Sequence, residues 1–450
     1  MAYYEYIKNI YFIGIGGIGM SALARYFSSQ GKNVAGYDRH RTELTSRLET
    51  EGIPVITSEE VEDLPSGFNE GDTLVVYTPA ISRDNKQYNH FVAAGYQMEK
   101  RAAVLGNLTK HHFTLAVAGT HGKTTTSTML AHLLKATGAE VTAFLGGISE
   151  NYNSNLILSG DKVMVVEADE FDRSFLQLEP NLAAITSMDA DHLDIYGEDA
   201  QIKESFHAFA ALVAEDGKLF FSNGLPLQGI SIGVEDNADV SAQNVKIENG
   251  CYHFDLKTIE KTYPDLMLRL PGKHNLQNAV MALAMALEFG APPELLAEAL
   301  ASFKGVERRF SYRINTDKLV LIDDYAHHPA EITAVHQAIR EMHPGKRVLA
   351  VFQPHLFSRT RDFADDFAKS LGLFDEILLL DIYPAREEPI EGITSEWLFK
   401  KITNPNKQLV GKEELSAVIK SKEPEVVVLM GAGDIGEEVE KIRKKLTGEN

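Results

Sequence analysis

The sequence predicts an α/β protein of three domains, each built on a mainly parallel sheet with flanking helices. Strand-like apolar runs alternate with helix-like segments almost throughout, which is typical of parallel sheets covered by helices on both faces. The length of 450 residues suffices for about three domains that each bury a core. Turn-rich stretches near residues 105–112 and 304–309 divide the chain, so the predicted domains are 1–108, 109–310 and 311–450.

Composition and charge narrow the class of protein. The formal net charge of −20, with no basic run to offset it, disfavours a sequence-independent nucleic-acid binder. The single cysteine, Cys251, excludes an intrachain disulfide and a cysteine zinc cluster, and it fits a reducing compartment. The apolar run from Ile10 to Met20 is too short to span a membrane. We therefore expect a cytoplasmic protein that binds neither nucleic acid nor membrane.

The first domain opens with a glycine pattern between a strand and a helix. Gly14, Gly16 and Gly19 form G-x-G-x-x-G, and Asp38 follows at the end of the next strand-like run. A pyrophosphate can bind at such a helix N-terminus, and Asp38 can accept hydrogen bonds from a hydroxyl-bearing ligand. A purely structural turn has the same spacing and stays an open alternative. The spacing recurs near the C-terminus, where we interpret it as a turn, at Gly431, Gly433 and Gly436.

The second domain begins with the most informative stretch of the chain, TLAVAGTHGKTTT at residues 114–126. An apolar strand ends there in a glycine turn that leads into Lys123 and Thr124, the arrangement of a loop that binds ATP or GTP phosphates. Lys123 would reach the terminal phosphates, and Thr124 would hold magnesium. Val117 stands where the usual motif begins with glycine, so Gly119 has to act as the pivot.

Two further segments of this domain place acidic side chains at strand ends. Glu167 directly follows a buried-looking strand, and a carboxylate there can share a magnesium ion with Thr124. A solvated acidic turn is the alternative. His192 lies within DADHLD, where it can be a metal ligand, a phosphate contact or a structural histidine.

Amides and arginines follow in the same domain. Asn275 and Asn278 lie one helical turn apart at the start of a helix, where they can contact an adenine edge or cap the helix. Arg308 and Arg309 can make bidentate phosphate contacts, or they can be surface arginines.

Two strands of the third domain run into clusters of polar side chains. The first cluster contains Asp323, Asp324, Tyr325, His327 and His328, and the second contains His355, Arg359 and Arg361. Open α/β sheets bind ligands at such carboxyl ends of strands. We favour an anionic substrate because arginines accompany the histidines, and metal binding by the histidines is the alternative.

Taken in order, these blocks resemble the Mur ligase family of peptidoglycan synthesis. The resemblance covers essentially the whole chain and rests on IGGIGMS, AGTHGKTTT, EADEFDRSFL, DHLD, PGKHNLQNA, RRF, DDYAHHP, FQPH and SRT. It implies a Rossmann-like N-terminal domain that binds a UDP-sugar and a central phosphate-loop ATPase. It also implies a Rossmann-like C-terminal domain that closes over the site.

The resemblance also implies a reaction. In the branch whose blocks are most similar, the lactyl carboxylate of UDP-N-acetylmuramate attacks the γ-phosphate of ATP. The amine of L-alanine then displaces phosphate from the acyl phosphate, leaving an amide. ATP and Mg²⁺ are the implied cofactors, and we expect a monomer or a weak homodimer.

The same resemblance assigns roles to individual residues. The implied catalytic residues are Lys123, His192, Arg309, His327, His355 and Arg359. The implied nucleotide-binding residues are Gly119, Thr120, His121, Gly122, Lys123, Thr124, Thr125, Asn275, Asn278, Arg309 and Asp324. The implied UDP-sugar-binding residues are Gly14, Gly16, Gly17, Ile18, Gly19, Met20, Ser21 and Asp38. The implied metal ligands are Thr124, Glu167 and His192.

The sequence departs from the family pattern at two positions. Many relatives carry arginine directly after the histidine of the FQPH block, and this chain has Leu356. One carboxylate contact is therefore absent, or it is supplied by Arg359 or Arg361. Other branches use a carbamylated lysine near the metals, and because Lys203 is not well placed for that role we predict no carbamylation.

Three alternatives accompany this prediction. A cell-wall recycling ligase would attach a preformed peptide to the same sugar nucleotide. A nicotinamide-dependent oxidoreductase would use the first glycine pattern but would leave the phosphate loop without a role. A nucleotide-binding regulator that has lost catalysis is disfavoured by Lys123, Thr124, Glu167 and His192, which are all present.

Overall fold

The computed structural model describes residues 4–82, 84–189, 199–385 and 387–449. The chain divides into two compact units. The first unit comprises residues 1–245, 253–268 and 277–304. The second unit comprises residues 246–252, 269–276 and 305–450.

The strands are numbered in chain order. They are β1 (Asn9–Ile13), β2 (Asn33–Tyr37), β3 (Val55–Ile56), β4 (Thr73–Tyr77), β5 (Gln97–Lys100), β6 (Phe113–Ala118), β7 (Val141–Ser149), β8 (Ser154–Leu158), β9 (Val163–Glu167), β10 (Leu182–Ile185), β11 (Lys218–Ser222), β12 (Ile230–Val234), β13 (Val240–Glu248), β14 (Cys251–Lys257), β15 (Thr262–Leu268), β16 (Ser311–Asn315), β17 (Val320–Asp324), β18 (Val348–Phe352), β19 (Glu376–Leu379), β20 (Lys407–Leu409) and β21 (Val426–Met430).

The α-helices are numbered in the same way. They are α1 (Ile18–Ser29), α2 (Glu43–Thr50), α3 (Lys86–Ala93), α4 (Arg101–Thr109), α5 (Lys123–Ala136), α6 (Asp199–Ala210), α7 (Lys273–Phe289), α8 (Pro293–Ala301), α9 (Pro329–Met342), α10 (Phe357–Asp362), α11 (Ala364–Leu371), α12 (Ser395–Lys401), α13 (Lys412–Ser421) and α14 (Val439–Thr447). Short 3₁₀ helices span Val61–Asp63, Glu70–Asp72, Phe171–Gln177 and Asp434–Glu438.

The first sheet has the strand order β3-β2-β1-β4-β5 with parallel pairing. Every residue of β1 is buried, as expected of a parallel strand that is covered on both faces. The glycine pattern lies between this strand and α1, so the prediction of a strand, a glycine turn and a helix is confirmed.

The second sheet has the strand order β15-β14-β13-β12-β11-β10-β6-β9-β7-β8. β6, which leads into the phosphate loop, pairs in parallel with β10 on one side and β9 on the other. β7 and β8 pair in antiparallel fashion, which the sequence prediction of mainly parallel strands did not specify. The loop therefore leaves the sheet between two parallel neighbours whose carboxyl ends lie at the same edge.

The third sheet has the strand order β16-β17-β21-β18-β19-β20. β16 pairs in antiparallel fashion with β17, and the other pairings are parallel. In register, Asp324 at the end of β17 and Phe352 at the end of β18 both pair with Met430 of β21. The two polar clusters predicted from the sequence thus leave the same edge of this sheet.

The first and second sheets share one hydrophobic core within the first unit. Tyr26 of α1 packs against Phe144 of β7, with ring centroids 5.3 Å apart. Asn155 of β8 is fully buried; it donates a hydrogen bond to the Ile18 carbonyl oxygen at 2.5 Å and accepts one from Arg25 at 2.5 Å. Because an unsatisfied buried amide is costly, these contacts tie α1 firmly to the second sheet.

The predicted α/β class, with three mainly parallel sheets and flanking helices, is confirmed. The domain limits at residues 108 and 310 remain predictions. In the part of the chain that the structure describes, no helix has the length and apolar character needed to cross a membrane.

A histidine in the middle of α5 fastens that helix to α8. The ring of His132 is buried; Nδ1 lies 2.8 Å from the Tyr152 hydroxyl, and Nε2 lies 2.9 Å from the Ser302 hydroxyl and 3.0 Å from the Ala299 carbonyl oxygen. Burial lowers the pKa of His132, and the charge of Lys135 lowers it further against the opposing hydrogen bond to Ala299.

We therefore expect His132 to make folding stability depend on pH. The folded-state pKa of His132 lies below the unfolded value of about 6.5. Between these two pKa values, His132 binds a proton more readily in the unfolded chain than in the folded protein, so a fall in pH favours unfolding. The stabilisation is complete above the unfolded value and is lost as the pH falls through the folded-state pKa. The melting temperatures of the protein and of His132→Gln, recorded from pH 7.5 down to 5, measure this loss of stability. The variant should lose less stability over the range, and equal losses would contradict the assignment.

Candidate active site

Two glycines with left-handed backbone shape the loop between β6 and α5. Gly119 has φ +133°, and a Cβ placed on it would lie 2.1 Å from Oγ1 of Thr186. Gly122 has φ +84°, and its Cβ would lie 2.6 Å from Oδ1 of Asn278. Since L side chains rarely adopt such φ values and neither space admits a methyl group, glycine is required at both positions.

The loop is held from the end of β10 by two hydroxyl side chains that the sequence reasoning did not single out. Ser187 Oγ accepts a hydrogen bond from the His121 backbone N–H at 2.8 Å and lies 2.8 Å from the Thr120 hydroxyl. Thr186 donates its hydroxyl to the carbonyl oxygens of His121 and Ala118. These hydrogen bonds hold the loop backbone against the end of β10.

Lys123, the first residue of α5, points its ammonium group back into the loop. Nζ donates to the Gly119 carbonyl oxygen at 2.6 Å and lies 2.8 Å from the carboxylate of Glu170. Burial by itself lowers the pKa of Lys123, but the carboxylates of Glu170, Asp169 and Glu167 outweigh it and raise the pKa above its ordinary value. Lys123 is therefore a cation held at the phosphate loop.

Thr124 and Glu167 form an oxygen-rich pair beside the lysine. The Thr124 hydroxyl donates to Oε1 of Glu167 at 3.1 Å, and Oε2 accepts the backbone N–H of Gly146 at 3.0 Å. The pair arises because Glu167 ends β9, which lies in parallel register with β6. A magnesium ion binds oxygen ligands at about 2.0–2.1 Å, so two oxygens at this spacing can share one ion. The side chains present thus fit Mg²⁺.

Gly146 of β7 is a further residue of this site that the sequence reasoning missed. A Cβ on Gly146 would lie 2.2 Å from Oε2 of Glu167, because the carboxylate rests directly on the backbone. A glycine inside a strand-like run is the signal that could have indicated such a close approach.

Gly146→Ala should displace the Glu167 carboxylate and weaken magnesium-dependent activity about tenfold to a hundredfold, the usual cost of losing a group that orients a metal ligand. Activity titrated with Mg²⁺ at saturating ATP measures the effect, and melting temperature checks the fold. An unchanged magnesium dependence in a folded variant would show that Gly146 does not position Glu167.

The two predicted amides differ in their surroundings. Asn278 is buried and its side-chain oxygen faces the α-carbon of Gly122, so it lies at the phosphate loop, while its contact with the nucleotide stays a prediction. Asn275, in the second unit, donates its amide to the Pro271 carbonyl oxygen at 2.6 Å. That contact holds the Asn275 side chain against the segment before α7, and its predicted contact with the nucleotide stays a prediction. Among the predicted site residues, His192 lies outside the described part of the chain.

The glycine loop of the first sheet is closed by its predicted acidic partner. Oδ2 of Asp38 accepts the backbone N–H of Gly16 at 2.8 Å, and Gly14 has φ +89°. Asp38 therefore holds the loop itself, which leaves its predicted contact with a ligand hydroxyl as a proposal. The related pattern at Gly431 forms a turn into a 3₁₀ helix, as interpreted from the sequence, and Arg308 donates to its carbonyl oxygen at 2.5 Å.

In the second unit, Asp324 is a buried carboxylate at the end of β17. Its oxygens accept the backbone N–H groups of Phe310 and Ala326, each at 2.7 Å. Burial raises the pKa of Asp324 to about 7, while Arg309 and the two hydrogen bonds act in the opposite direction. Arg309 in turn lies over the ring of Tyr325, 5.1 Å from its centroid. Asp324 thus orders the backbone beside Arg309.

The two polar clusters of the third sheet lie next to each other at the ends of β17 and β18. The rings of His327 and His355 are 6.1 Å apart, and Arg359 Nη1 lies 3.4 Å from Nδ1 of His355. Glu331, which the sequence reasoning passed over, accepts the His327 backbone N–H at 2.9 Å. The Arg359 guanidinium and the two histidine rings thus lie together, with the Glu331 carboxylate beside His327, and the anionic substrate stays a prediction.

Leu356, where the sequence departs from the family pattern, has an unusual backbone conformation. Leu356 is buried and has φ +70°, a strained conformation for a leucine, and its backbone N–H donates to the Tyr383 carbonyl oxygen at 2.9 Å. Arg359 is buried beside His355, whereas Arg361 pairs with Asp362 at 2.7 Å near the surface. Arg359 is therefore the better placed of the two arginines to replace the missing contact.

Comparisons with known proteins agree with this geometry. Residues 9–113 match the family model described as the Mur ligase family catalytic domain, 117–286 the Mur ligase middle domain, and 308–433 the Mur ligase glutamate ligase domain. A protein of Christiangramia forsetii named UDP-N-acetylmuramate–L-alanine ligase is 64% identical over 447 residues, which covers 99% of both chains.

Solved structures show the same fold. The crystal structure of a UDP-N-acetylmuramate–alanine ligase from Thermotoga maritima superposes with a TM-score of 0.84 at 28% identity, covering 98% of this chain and 99% of that chain. A murein peptide ligase from Psychrobacter arcticus gives a TM-score of 0.71 at 23% identity, with 98% of each chain covered, and shows likeness of fold alone. The resemblance inferred from the sequence blocks is confirmed.

Proposed function

The chain belongs to the Mur ligase family, and we propose that it joins L-alanine to the lactyl carboxylate of UDP-N-acetylmuramate, converting ATP to ADP and phosphate. This amide-forming step belongs to the synthesis of peptidoglycan precursors. The observation that carries the proposal is the phosphate loop, where Lys123 and Thr124 begin α5 and Thr124 donates its hydroxyl to Glu167 at the end of β9. A carboxylate becomes a good acylating agent only when its oxygen is turned into a leaving group, and that is the use of ATP here.

Lys123 has the central role in this proposal. The γ-phosphate of ATP would bind at Nζ, which the carbonyl oxygen of Gly119 and the carboxylate of Glu170 hold at the loop. As the substrate carboxylate attacks, negative charge builds on the transferring phosphoryl group, and a fixed ammonium group stabilises it. The raised pKa of Lys123 keeps it charged for this purpose.

Magnesium would be held by Thr124 and Glu167, whose oxygens are 3.1 Å apart, with Gly146 orienting the carboxylate. When bound, the magnesium ion would neutralise part of the negative charge of the phosphates. His192 remains a proposed further ligand. Of the loop residues, Thr120, His121 and Thr125 are proposed to contact the nucleotide through the backbone and hydroxyl groups that the loop presents.

The remaining residue roles are proposals drawn from family membership. Asn275, Asn278, Arg309 and Asp324 would bind the nucleotide. His327, His355 and Arg359 would bind the incoming amino acid and the acyl phosphate, with Arg359 acting where Leu356 lacks a charged group. A cytoplasmic location and a monomeric or weakly dimeric state are proposed as well.

The experiment that tests the function is phosphate release with magnesium-ATP and UDP-N-acetylmuramate, with acceptors added one at a time. The acceptors are L-alanine, glycine, L-serine, D-glutamate and the wall tripeptide, and mass spectrometry identifies the product. Release with L-alanine and a new amide would support the proposal. Release with the tripeptide alone would instead make the protein a recycling ligase, and silence with every acceptor would favour a regulator.

A further inference from the structure

A cavity of about 250 Å³ lies within the first unit, between the glycine loop and the phosphate-loop sheet. One wall is the start of α1, from Gly17 to Leu23, and the opposite wall includes Gly146, Glu167 and Asp169. The volume is below the roughly 300–1,000 Å³ of sites that enclose a whole drug-sized ligand. It therefore suits one part of a sugar nucleotide.

Arg101, the first residue of α4, lines this cavity. Its guanidinium lies so close to Gly19 that a Cβ on that glycine would be 2.9 Å from Nη1. Its other neighbour is Asp169, with Nη2 and Oδ2 separated by 3.7 Å, longer than a charge-assisted hydrogen bond of about 2.7–2.9 Å. The guanidinium thus stands between the glycine loop and the acidic segment, and its ion pair with Asp169 is loose.

Arg101 differs in charge from the acidic side chains that line the same cavity. Among the described residues that line the cavity, Glu167 and Asp169 are acidic and Arg101 carries the positive charge. The chain has a net charge of −20, so its overall field opposes an anionic ligand. The proposed substrate carries a diphosphate and a carboxylate, and Arg101 is the basic residue that this cavity offers to one of these oxyanions among its described lining residues.

We propose that Arg101 binds an oxyanion of the sugar nucleotide and thereby positions its carboxylate for the phosphate loop. This inference rests on the proposed function and adds a substrate-binding residue to it. The planar guanidinium can bind phosphate or carboxylate oxygens in bidentate fashion, and the loose pair with Asp169 gives way when the substrate enters. Diphosphate and lactyl carboxylate offer the same chemistry, and the experiment separates them.

Calorimetric binding of UDP-N-acetylmuramate, without ATP, to the whole protein and to Arg101→Ala is the test. The loss of a charge-assisted hydrogen bond should weaken binding about tenfold to a hundredfold. UDP-N-acetylglucosamine, which has the diphosphate but no lactyl carboxylate, is the second ligand. Weakening of both ligands assigns Arg101 to the diphosphate, and weakening of the first alone assigns it to the carboxylate. Unchanged binding of both ligands overturns the proposal.

Two further variants separate binding from a structural role. Asp169→Asn breaks the same ion pair but keeps the arginine, so it should bind UDP-N-acetylmuramate no more weakly than the parent protein does. Equal weakening by Asp169→Asn and Arg101→Ala would overturn the proposal, because the pair itself would then matter. Arg101→Lys keeps the charge and should recover part of the affinity, which provides a test if Arg101→Ala does not fold.

A matched control and a kinetic readout complete the experiment. Arg41→Ala removes an exposed arginine of the same unit, paired with Glu49, and should bind as the parent does. In turnover, Arg101→Ala should raise KM for the sugar nucleotide and leave KM for ATP nearly unchanged. If the parent protein does not bind UDP-N-acetylmuramate, the proposed function fails. If the parent binds it and Arg101→Ala binds it equally well, only the role of Arg101 fails.

Discussion

Lys123→Ala should reduce amide formation by about a thousandfold, because it removes the fixed cation that stabilises charge on the transferring phosphoryl group. Binding of UDP-N-acetylmuramate should stay within about twofold, since Lys123 is not among the described residues that line the cavity beside the glycine loop of the first sheet. Turnover is measured by phosphate release, and sugar-nucleotide binding by calorimetry. Equal loss of both would contradict the separation of the two sites.

Lys123 also neutralises the buried carboxylate of Glu170, so a second variant has to separate this stabilising role from catalysis. Glu170 is 1% exposed and would lose its lysine, a change that costs about 3–5 kcal/mol when a buried pair is broken. The double variant Lys123→Ala with Glu170→Gln removes the stranded charge. It should recover melting temperature and remain inactive. Recovery of activity together with stability would show that Lys123 is structural and not catalytic.

Gly119→Ala should abolish activity and destabilise the protein. The added methyl group would lie 2.1 Å from Thr186 Oγ1 and 2.8 Å from the Ser187 backbone nitrogen, on a residue with φ +133°. Backbone strain and overpacking together cost roughly 2–5 kcal/mol, and a displacement of the loop by even one ångström costs about a hundredfold in rate. Melting temperature and phosphate release measure the two effects.

Gly138→Ala is the matched control at the other end of the same helix. Gly138 has φ +92°, so alanine there meets comparable backbone strain, but no atom lies within 4 Å of the added Cβ. It should lose a little stability and keep its turnover rate. If Gly138→Ala and Gly119→Ala lost activity alike, the contact with Thr186 and Ser187 would not be the reason.

Local patterns predicted the parts of this molecule that depend on residues near one another in the chain. The strand, the glycine turn and the helix at Lys123 follow from an apolar run, two glycines and a helix start, which are signals of short range. Glu167 was predicted because it ends an apolar strand, and the parallel register of β9 with β6 brings it to Thr124.

The residues that were missed depend on packing between distant segments. Thr186 and Ser187 hold the phosphate loop only because β10 lies beside β6, an order that strand patterns do not specify. Arg101 follows the polar residues Glu99 and Lys100, which resemble surface, and the packing of α4 against the 3₁₀ helix Phe171–Gln177 brings it near Asp169. Such neighbours come from topology, which binary patterns leave open.

In the proposed reaction, the phosphate loop activates the substrate carboxylate as an acyl phosphate. UDP-N-acetylmuramate whose lactyl carboxylate carries a heavy oxygen isotope tests it directly, with mass spectrometry of the phosphate released in the presence of ATP and L-alanine. We expect each released phosphate to carry one oxygen from the labelled carboxylate, because the bond between phosphorus and that oxygen survives when the amine displaces phosphate. Amide formation with unlabelled phosphate would contradict the mechanism.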